Sequence, residues 1–466
     1  MSSSKPPLLA DATADLASFA ANLRFEDLPV EAVERMKTSL LDSIGCCLFG
    51  ATLPWTRRVQ ALVEEEGGKP VASLFGSNHK TSITNAVLVN GTAGHAFELD
   101  DIHKESIVHP GSIAVPVALA FAERDGGWSG RDVITAMVAG YEIGTRVGNA
   151  ATMSLFFRGF HPQGTSGVFV AAATAGRSLG LDAAHMQHAL GIAGSQAGGL
   201  MAAQEGAMVK RFHGGRAAQS GVYSALLAQR EFTGITDVLE ASYGGYLSAY
   251  SDAPNAARLT DGLGSDWEAS KVGYKPHASV TSIHSALDAL AHIMTTNGLA
   301  ADDVAALEVG VSHMTFVHCA WEYKAQGVTA AQMNLYYGLA VIAHDGVAFV
   351  SQYHQERLAD PKLLNFISRI EAGVDPEIEA MGPAFRHAAT VKVRTKDGRQ
   401  FSHRILNRRG SPENPISSED VQYKFRNVVE SCLSAPDIER VLRLSAELDS
   451  LSDVSELIAL VAAPRR

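Results

Sequence analysis

The chain has 466 residues, of which 46% are hydrophobic, 19% charged and 7% aromatic, and its formal net charge is −11. This composition excludes a disordered chain, a fibre and a basic arm that binds nucleic acid. At about 100–200 residues per domain, the length predicts two to four domains or one large domain with an insertion. Because no run of about 18 apolar residues and no secretory signal stands out, we expect a cytoplasmic protein with no membrane partner.

The four cysteines are Cys46, Cys47, Cys319 and Cys432, and none of them forms a CxxC spacing. The absence of that spacing argues against a disulfide framework, a zinc ribbon and a local run of iron–sulfur ligands. We therefore expect reduced thiols in the core.

The region from Asp11 to about Ser251 has an almost wholly helical pattern. Segment 29–49 repeats apolar residues at three- and four-residue spacings, with Pro29 near its start and Gly50 after its end. Similar segments are predicted at about 82–99, 112–124, 130–148, 164–180, 183–196 and 214–230. Many helices with short connections predict a bundle.

The pattern changes near 262–275, where Gly, Ser and charged residues accumulate. Beyond this boundary, helices are predicted at about 279–296 and 329–343, and strands at 304–311, 389–395 and 400–406, the last two joined by an Asp-Gly turn. Helices return at about 417–432 and 434–461. The sequence thus predicts a mainly α fold, with a large helical domain built from 1–265 plus 407–466 and an inserted, smaller α+β domain at 266–406.

A cluster of ionisable residues lies in 94–111. It contains three carboxylates and three imidazoles, which are Glu98, Asp100, Asp101, His95, His103 and His109. If the helix predicted at 82–99 continues a little further, Glu98 and Asp101 share one face. The cluster indicates an acid/base or metal site at a helix end, and the alternative is a solvated polar loop.

Two further clusters stand beside glycines. His161 precedes Pro162 and a turn that opens a helix near Thr165, so free N–H groups of that helix could hold an anion. The other cluster has four basic residues next to Gly214 and Gly215, just before an Ala-rich helix; they are Lys210, Arg211, His213 and Arg216. Basic sequence in an acidic protein suggests a pocket for an anionic ligand, and the alternative is an exposed loop.

The remaining candidates lie beyond the predicted boundary. Lys275, His277 and His284 follow it closely, where the alternative is a polar linker. Tyr337 lies on an apolar helix, where core packing is the favoured interpretation. Together the histidines and lysines suit proton abstraction next to a carboxylate, because they can bind the anion and transfer a proton near neutral pH.

Six stretches carry a resemblance to a known family. They are LLDSIGCCLFGA (40–51), NGTAGHAFELDDIH with HPG (90–111), GFHPQGTSG (159–167), KRFHGGRAAQSG (210–221), AQMNLYYGLAVIAHDG (331–346) and RGSPENPISSEDVQYKF (409–425). In this order they resemble the MmgE/PrpD family, whose members include 2-methylcitrate dehydratase, cis-aconitate decarboxylase and iminodisuccinate epimerase. The resemblance implies a helical domain from both chain ends, an inserted α+β lid, a homodimer, an active site between the domains, and no cofactor or metal.

The resemblance also implies roles for individual residues. The catalytic residues it implies are Glu98, Asp101, His109, His161, Lys210, His284 and Tyr337. The substrate-binding residues that we predict are His103, Arg211, His213, Lys275 and His277, and either His277 or His284 matches the lid histidine. The decarboxylase-like pattern has Asp at Glu98 and Thr at Ile102, and the missing hydroxyl argues against decarboxylation of cis-aconitate.

We therefore expect a lyase that removes water from a small di- or tricarboxylic acid, like 2-methylcitrate dehydratase. Within the family, an epimerase, isomerase or decarboxylase is the alternative, as is a member that binds without turnover. Outside it, Asp100-Asp101 resembles the aspartate-rich motif of Mg²⁺-dependent isoprenoid synthases, although Lys104 occupies the motif's last position. A metal-dependent hydrolase that uses Asp101, His103 and His109 is the last alternative.

Overall fold

The protein has a mainly α fold in a computed structural model that describes residues 9–463, apart from the side chain of Thr152. The helices of the first half are α1 (Ala12–Asn22), α2 (Val30–Gly50), α3 (Pro54–Glu66), α4 (Ile83–Gly94), α5 (Gly111–Asp125), α6 (Gly130–Phe157), α7 (Pro162–Thr165), α8 (Gly167–Ser178), α9 (Ala183–Gly194), α10 (Val209–Ala228) and α11 (Tyr246–Tyr250). Two short strand pairs accompany them, β1 (Ala72–Ser73) with β2 (Lys80–Thr81), and β3 (Ile102–His103) with β4 (Val272–Gly273). The predicted non-secretory N-terminus and the outermost ends of the predicted helical domain, residues 1–8 and 464–466, lie outside the described residues.

The second half mixes helices with one larger sheet. Its helices are α12 (His284–Asn297), α13 (His313–Cys319), α14 (Val328–Met333), α15 (Leu335–Asp345), α16 (Pro361–Ile367), α17 (Pro376–Ala380), α18 (Ser418–Val429), α19 (Ala435–Ala446) and α20 (Ser455–Ala462). Its strands are β5 (Val304–Val311), β6 (Ile370–Val374), β7 (Ala389–Thr395) and β8 (Gln400–Ile405). In the part of the chain that the structure describes, no helix is both long and apolar enough to cross a bilayer.

Small residues let the central helices approach closely. Helix α8 is buried along most of its length and packs against α5, α6 and α10. Helix α10 crosses α4 at Gly215, where an added Cβ would lie 2.2 Å from the Leu88 carbonyl oxygen. This contact places the first turns of α10 beside the residues that follow α4.

The C-terminal helices pack on helices from the other end of the chain. Helices α18 and α19 contact α2, and α20 contacts α5. The Lys424 ammonium on α18 donates to the Asp42 carboxylate on α2 at 2.7 Å. The proposed limits of the two domains stay a prediction.

The larger sheet has the order β6-β5-β7-β8, in which β5 and β6 are parallel and the other pairs antiparallel. Helix α12 packs against β7 and β8. The hairpin predicted at Asp397-Gly398 is confirmed, with Gly398 at φ 88°. Strand β6 was not predicted, because this edge strand has no buried residue and so no clear alternation of apolar and polar positions.

Several predicted helix limits are wrong, and helix α6 ends at Phe157 rather than 148. Helix α4 ends at Gly94 rather than 99, so Glu98 and Asp101 do not share a helical face. Helix α10 begins at Val209 rather than 214, and the basic cluster therefore lies on the helix itself. The helix predicted over 434–461 is divided, because the backbone between α19 and α20 hydrogen-bonds to residues 128–130 just before and at the start of α6.

Replacing Gly215 with Ala tests the close crossing of α4 and α10. The new Cβ would lie 2.2 Å from both the Leu88 carbonyl oxygen and the Thr92 hydroxyl. We expect the free energy of unfolding to fall by about 1–3 kcal/mol, measured by urea unfolding followed by circular dichroism. The matched control is Gly373→Ala on β6, where no heavy atom lies within 4 Å of the added Cβ. Equal stability of the two variants would contradict the crossing.

Candidate active site

A cavity of about 50 Å³ brings together residues that are far apart in the sequence. Five of the predicted site residues line it, and these are Glu98, His109, His161, Lys210 and Lys275. The first four come from the helical part of the chain, and Lys275 comes from the segment that follows β4. The cavity thus lies where the two predicted domains meet.

The Glu98 carboxylate accepts hydrogen bonds from three cations. Its Oε1 atom accepts from the Lys210 ammonium and, at 2.5 Å, from Arg211 Nη1, and its Oε2 atom accepts from Lys275 Nζ at 3.0 Å. Burial favours the protonated acid, but Lys210, Lys275 and Arg211 together hold the pKa of Glu98 well below its usual range. The four groups therefore carry three positive charges against one negative charge.

The backbone at Glu98 is in the left-handed region, with φ 53°. Residues other than glycine rarely adopt it, and the cost is of order 1–3 kcal/mol. The turn that follows the early end of α4 therefore directs this carboxylate toward α10 at an energetic cost.

Lys210 and Arg211 lie in the first turn of α10. Burial lowers the pKa of Lys210 to about 8, although the Glu98 carboxylate opposes that change. Arg211 donates to the Gln332 side-chain oxygen on α14 at 3.0 Å. Gln332 in turn donates to the Phe97 and Ala278 carbonyl oxygens, so this α14 residue holds both walls of the site together.

Asp100 lies between two histidines. Its Oδ2 atom is 2.7 Å from His95 Nδ1, and its Oδ1 atom is 3.3 Å from His109 Nδ1. Burial acts to raise the pKa of Asp100, but His109 and His95 hold it well below its usual range. Burial lowers the pKa of His95 to about 3, so this ring is neutral.

These three residues are also the group within residues 9–463 that could hold a metal ion, since one ligand atom from each lies within 4.8 Å of the others. The 2.7 Å separation of His95 Nδ1 and Asp100 Oδ2 is a hydrogen-bond distance. It is shorter than about 3.3 Å, the separation of two ligands on tetrahedral zinc with bonds of 2.0–2.1 Å. The His95–Asp100 contact is therefore a hydrogen bond, whereas Asp100 Oδ1 and His109 Nδ1 face each other at 3.3 Å without one.

A second histidine pair borders the cavity. His161 Nδ1 and His213 Nδ1 are 2.8 Å apart, so one ring donates a proton and the other accepts it. Burial holds the pKa of His161 well below its usual range and lowers that of His213 to about 4. Both rings are neutral at pH 7.

Two of the predicted polar residues near Glu98 are buried outside the cavity wall. Asp101 accepts hydrogen bonds from the Gly111 amide at 2.9 Å and the Tyr141 hydroxyl at 2.7 Å. Burial raises the pKa of Asp101 to about 8. His103 Nε2 lies 2.8 Å from Glu268 Oε2. These partners indicate that Asp101 and His103 stabilise the fold around the cavity.

The structure also places three predicted residues of the second half away from the cavity wall. His277 Nε2 lies 2.9 Å from Asp288 Oδ1, and His284 Nε2 donates to the Ser279 carbonyl oxygen at 3.1 Å. The Tyr337 hydroxyl donates to the Gln352 carbonyl oxygen at 2.7 Å.

Sequence reasoning missed five polar residues of the wall, and these are Lys104, Thr281, Ser282, His318 and His387. Lys104, Thr281 and Ser282 lie inside the stretches that contain other predicted site residues. His318 on α13 and His387 before β7 are isolated in the sequence, and no local motif marks them. Ile102 also lines the cavity.

The comparisons with known proteins cover nearly the whole chain. The MmgE/PrpD N-terminal domain matches residues 14–258, and the MmgE/PrpD C-terminal domain matches residues 277–450. The chain is 30% identical to a cis-aconitate decarboxylase-like protein of Aspergillus oryzae, over 97% of each chain. It is 30% identical to a cis-aconitate decarboxylase of Aspergillus terreus, over 97% of this chain and 96% of the relative. Human cis-aconitate decarboxylase is 26% identical over 98% and 96%.

Asp101→Asn tests the protonation of the buried Asp101 carboxyl. Its pKa is about 8 in the folded protein and about 4 in the unfolded chain, so its contribution to stability is present below pH 4 and is lost as pH rises through 8. Asparagine does not titrate. We expect the melting temperature of the wild type to fall relative to that of Asp101→Asn between pH 5 and pH 8.5, measured by calorimetry. Parallel curves for the two proteins would show that Asp101 is ionised throughout.

Proposed function

Because the chain belongs to the MmgE/PrpD family, we propose that it is a lyase that releases carbon dioxide from a small tricarboxylic acid, with cis-aconitate as the first substrate to test. The observation that carries this proposal is the excess of positive charge around Glu98 in a cavity between two parts of the chain. Relatives named for cis-aconitate decarboxylation align over at least 96% of their own length.

The charge balance favours an anionic substrate. Lys210, Arg211 and Lys275 surround the Glu98 carboxylate, and Asp100 Oδ1 lies 3.9 Å from Lys275 Nζ, which leaves one positive charge in excess. In a buried site such charges attract carboxylates strongly, because little water screens them. We assign Lys210 and Lys275 to the binding of a substrate carboxylate.

The proton chemistry follows from His109. Loss of carbon dioxide breaks a carbon–carbon bond and leaves an electron pair on the substrate, which must then accept a proton. Asp100 Oδ1 faces Nδ1 of His109 at 3.3 Å, which leaves Nε2 as the nitrogen for the substrate. The neutral His161 ring is the second candidate for proton transfer at the cavity wall.

The lining of the cavity supports a lid. Its wall is formed by both parts of the chain, with Glu98 and Lys210 from one part and Lys275 and His387 from the other. We propose that the α+β domain, residues 266–406, moves away from the helical domain to admit substrate and then excludes water. We also propose the homodimer that the resemblance implies.

Dehydration of a hydroxy acid, as in 2-methylcitrate dehydratase, is the second candidate. Ile102 favours it, because this cavity residue supplies no hydroxyl where the decarboxylase-like pattern has threonine. Uniformly ¹³C-labelled cis-aconitate and 2-methylcitrate, followed by NMR in D₂O, separate the reactions. Decarboxylation gives labelled carbon dioxide, dehydration gives an alkene without it, and deuterium exchange alone indicates an epimerase or isomerase. Turnover of neither labelled acid, with no exchange, would contradict the proposal.

Lys210→Met tests the proposed carboxylate contact. Loss of one charged hydrogen bond should lower kcat/KM by roughly 10- to 100-fold. In the wild type, kcat/KM should also fall as pH rises through about 8, because Lys210 loses its proton there. Steady-state kinetics from pH 6 to 9.5 measures both effects.

The matched control for Lys210 is Lys324→Met, at a side chain that is 61% exposed. We expect wild-type kinetics from the control. Wild-type activity of Lys210→Met would overturn the assignment of Lys210, and a flat pH profile above 8 would contradict its lowered pKa.

Ile102→Thr tests the effect of a hydroxyl at the position where the decarboxylase-like pattern has threonine. If decarboxylation is slow because a donor is absent, threonine should raise kcat/KM for cis-aconitate by about 2- to 10-fold. Ile102→Val is the matched control, because valine has the shape of threonine without its hydroxyl. Equal kinetics of the two variants would show that volume, not hydrogen bonding, matters at this position.

A further inference from the structure

Arg408 is a buried cation without hydrogen bonds to other described residues. Its side chain lies in the segment between β8 and α18, and the residue is 2% exposed. None of its three guanidinium nitrogens has a hydrogen-bond partner within residues 9–463. By contrast, the equally buried Arg146 donates to the Glu142 carboxylate and to the Asp261 and Asp266 carbonyl oxygens.

The neighbouring acids do not neutralise Arg408. Glu413 and Asp288 attract it, but neither forms an ion pair with it within 4.0 Å in the described part of the chain. Instead, Glu413 pairs with Lys104 and Asp288 lies beside His277. Burial lowers the pKa of Arg408 to about 10, so the group is still charged at pH 7. An unpaired buried charge of this kind is expensive.

The position of Arg408 connects it with the cavity. An added Cβ at Gly273 on β4 would lie 3.2 Å from Arg408 Nη2, and Lys275, two residues further along, lines the cavity. His387, another wall residue, has a buried Nδ1 atom with no hydrogen-bond partner among the described residues. Burial holds the pKa of His387 well below its usual range, with Arg386 and then Arg408 adding to that effect. Arg408 is therefore close behind the cavity wall formed by the α+β domain.

We propose that Arg408 is the centre of a second carboxylate-binding subsite, distinct from the cluster of Lys210, Arg211 and Lys275 around Glu98. The guanidinium fork matches a carboxylate with two parallel hydrogen bonds, and a bound anion would neutralise the buried charge. Two sources share this chemistry, a carboxylate of the substrate itself or a separate small carboxylate. The first source rests on the proposed function, whereas the subsite does not.

Arg408→Met tests the subsite, with tricarballylate as an unreactive tricarboxylate probe. In buffer without added carboxylate, the variant should melt at the same temperature as the wild type or higher, because an unpaired buried charge is removed. Its Kd for tricarballylate, measured by calorimetric titration, should be roughly 10- to 100-fold weaker. A lower melting temperature with an unchanged Kd would overturn the proposal and assign Arg408 to the core.

Two comparisons keep this test decisive. Arg408→Lys keeps the charge without the planar fork, and its Kd should lie between those of the wild type and Arg408→Met. If Arg408→Met does not fold, equal tricarballylate affinity of Arg408→Lys and the wild type contradicts the subsite. Arg146→Met removes a hydrogen-bonded buried arginine, so it should melt at a lower temperature with or without the probe.

Acetate separates the two sources of the carboxylate. If the subsite takes the substrate's own group, acetate should raise KM more in the wild type than in Arg408→Met, which keeps only the contact with Lys210 and Lys275 for acetate to occupy. If it takes a separate anion, acetate should raise the melting temperature of the wild type alone and leave KM unchanged. No effect of acetate or tricarballylate on either protein would overturn the subsite. Binding of tricarballylate through Arg408 without turnover of any tested acid would contradict only the proposed function.

Discussion

The buried Glu98 carboxylate is the interaction on which the rest of the site depends. It joins Lys210 and Arg211 on α10 to Lys275 beyond β4, so one side chain connects both parts of the chain. Removing four charges from water is costly and is repaid only by well-formed hydrogen bonds. The close crossing of α4 and α10 at Gly215 supplies that geometry, because it presses the turn after α4 against the start of α10.

The turn after α4 gives three neighbouring carboxyl groups different environments. Glu98 faces cations and Asp100 faces two imidazoles, and both have a pKa well below the usual range. Asp101, buried beside Tyr141, has its pKa raised to about 8 by burial. Burial and neighbouring charges, not the residue type, therefore set the protonation of each carboxyl group in this turn. The left-handed backbone at Glu98 is part of the energetic cost of this turn.

Much of the fold was predictable because apolar spacing reports which helix faces are buried, as in α2 and α18. The start of α10 was not, since Gly214 and Gly215 are poor helix formers and indicate a turn locally. Their place in the helix depends on the packing of α10 against α4, and this tertiary contact is not visible in the local sequence. Likewise, Glu98, His109, His161, Lys210 and Lys275 lie in polar clusters that sequence reveals. His318 and His387 reach the wall only through the fold, as does the hydrogen-bonding role of Gln332.

The net charge of −11 and the buried cations are compatible because they act over different distances. Exposed acids are screened within about 8–10 Å at physiological ionic strength, whereas buried lysines and arginines are screened much less. Lys275 belongs to the predicted α+β domain, and Lys210, Arg211 and Arg408 belong to the predicted helical domain. A polycarboxylate held between them would offset charge on both sides at once. Ligand binding and closure of the two domains would then be driven by the same electrostatic attraction.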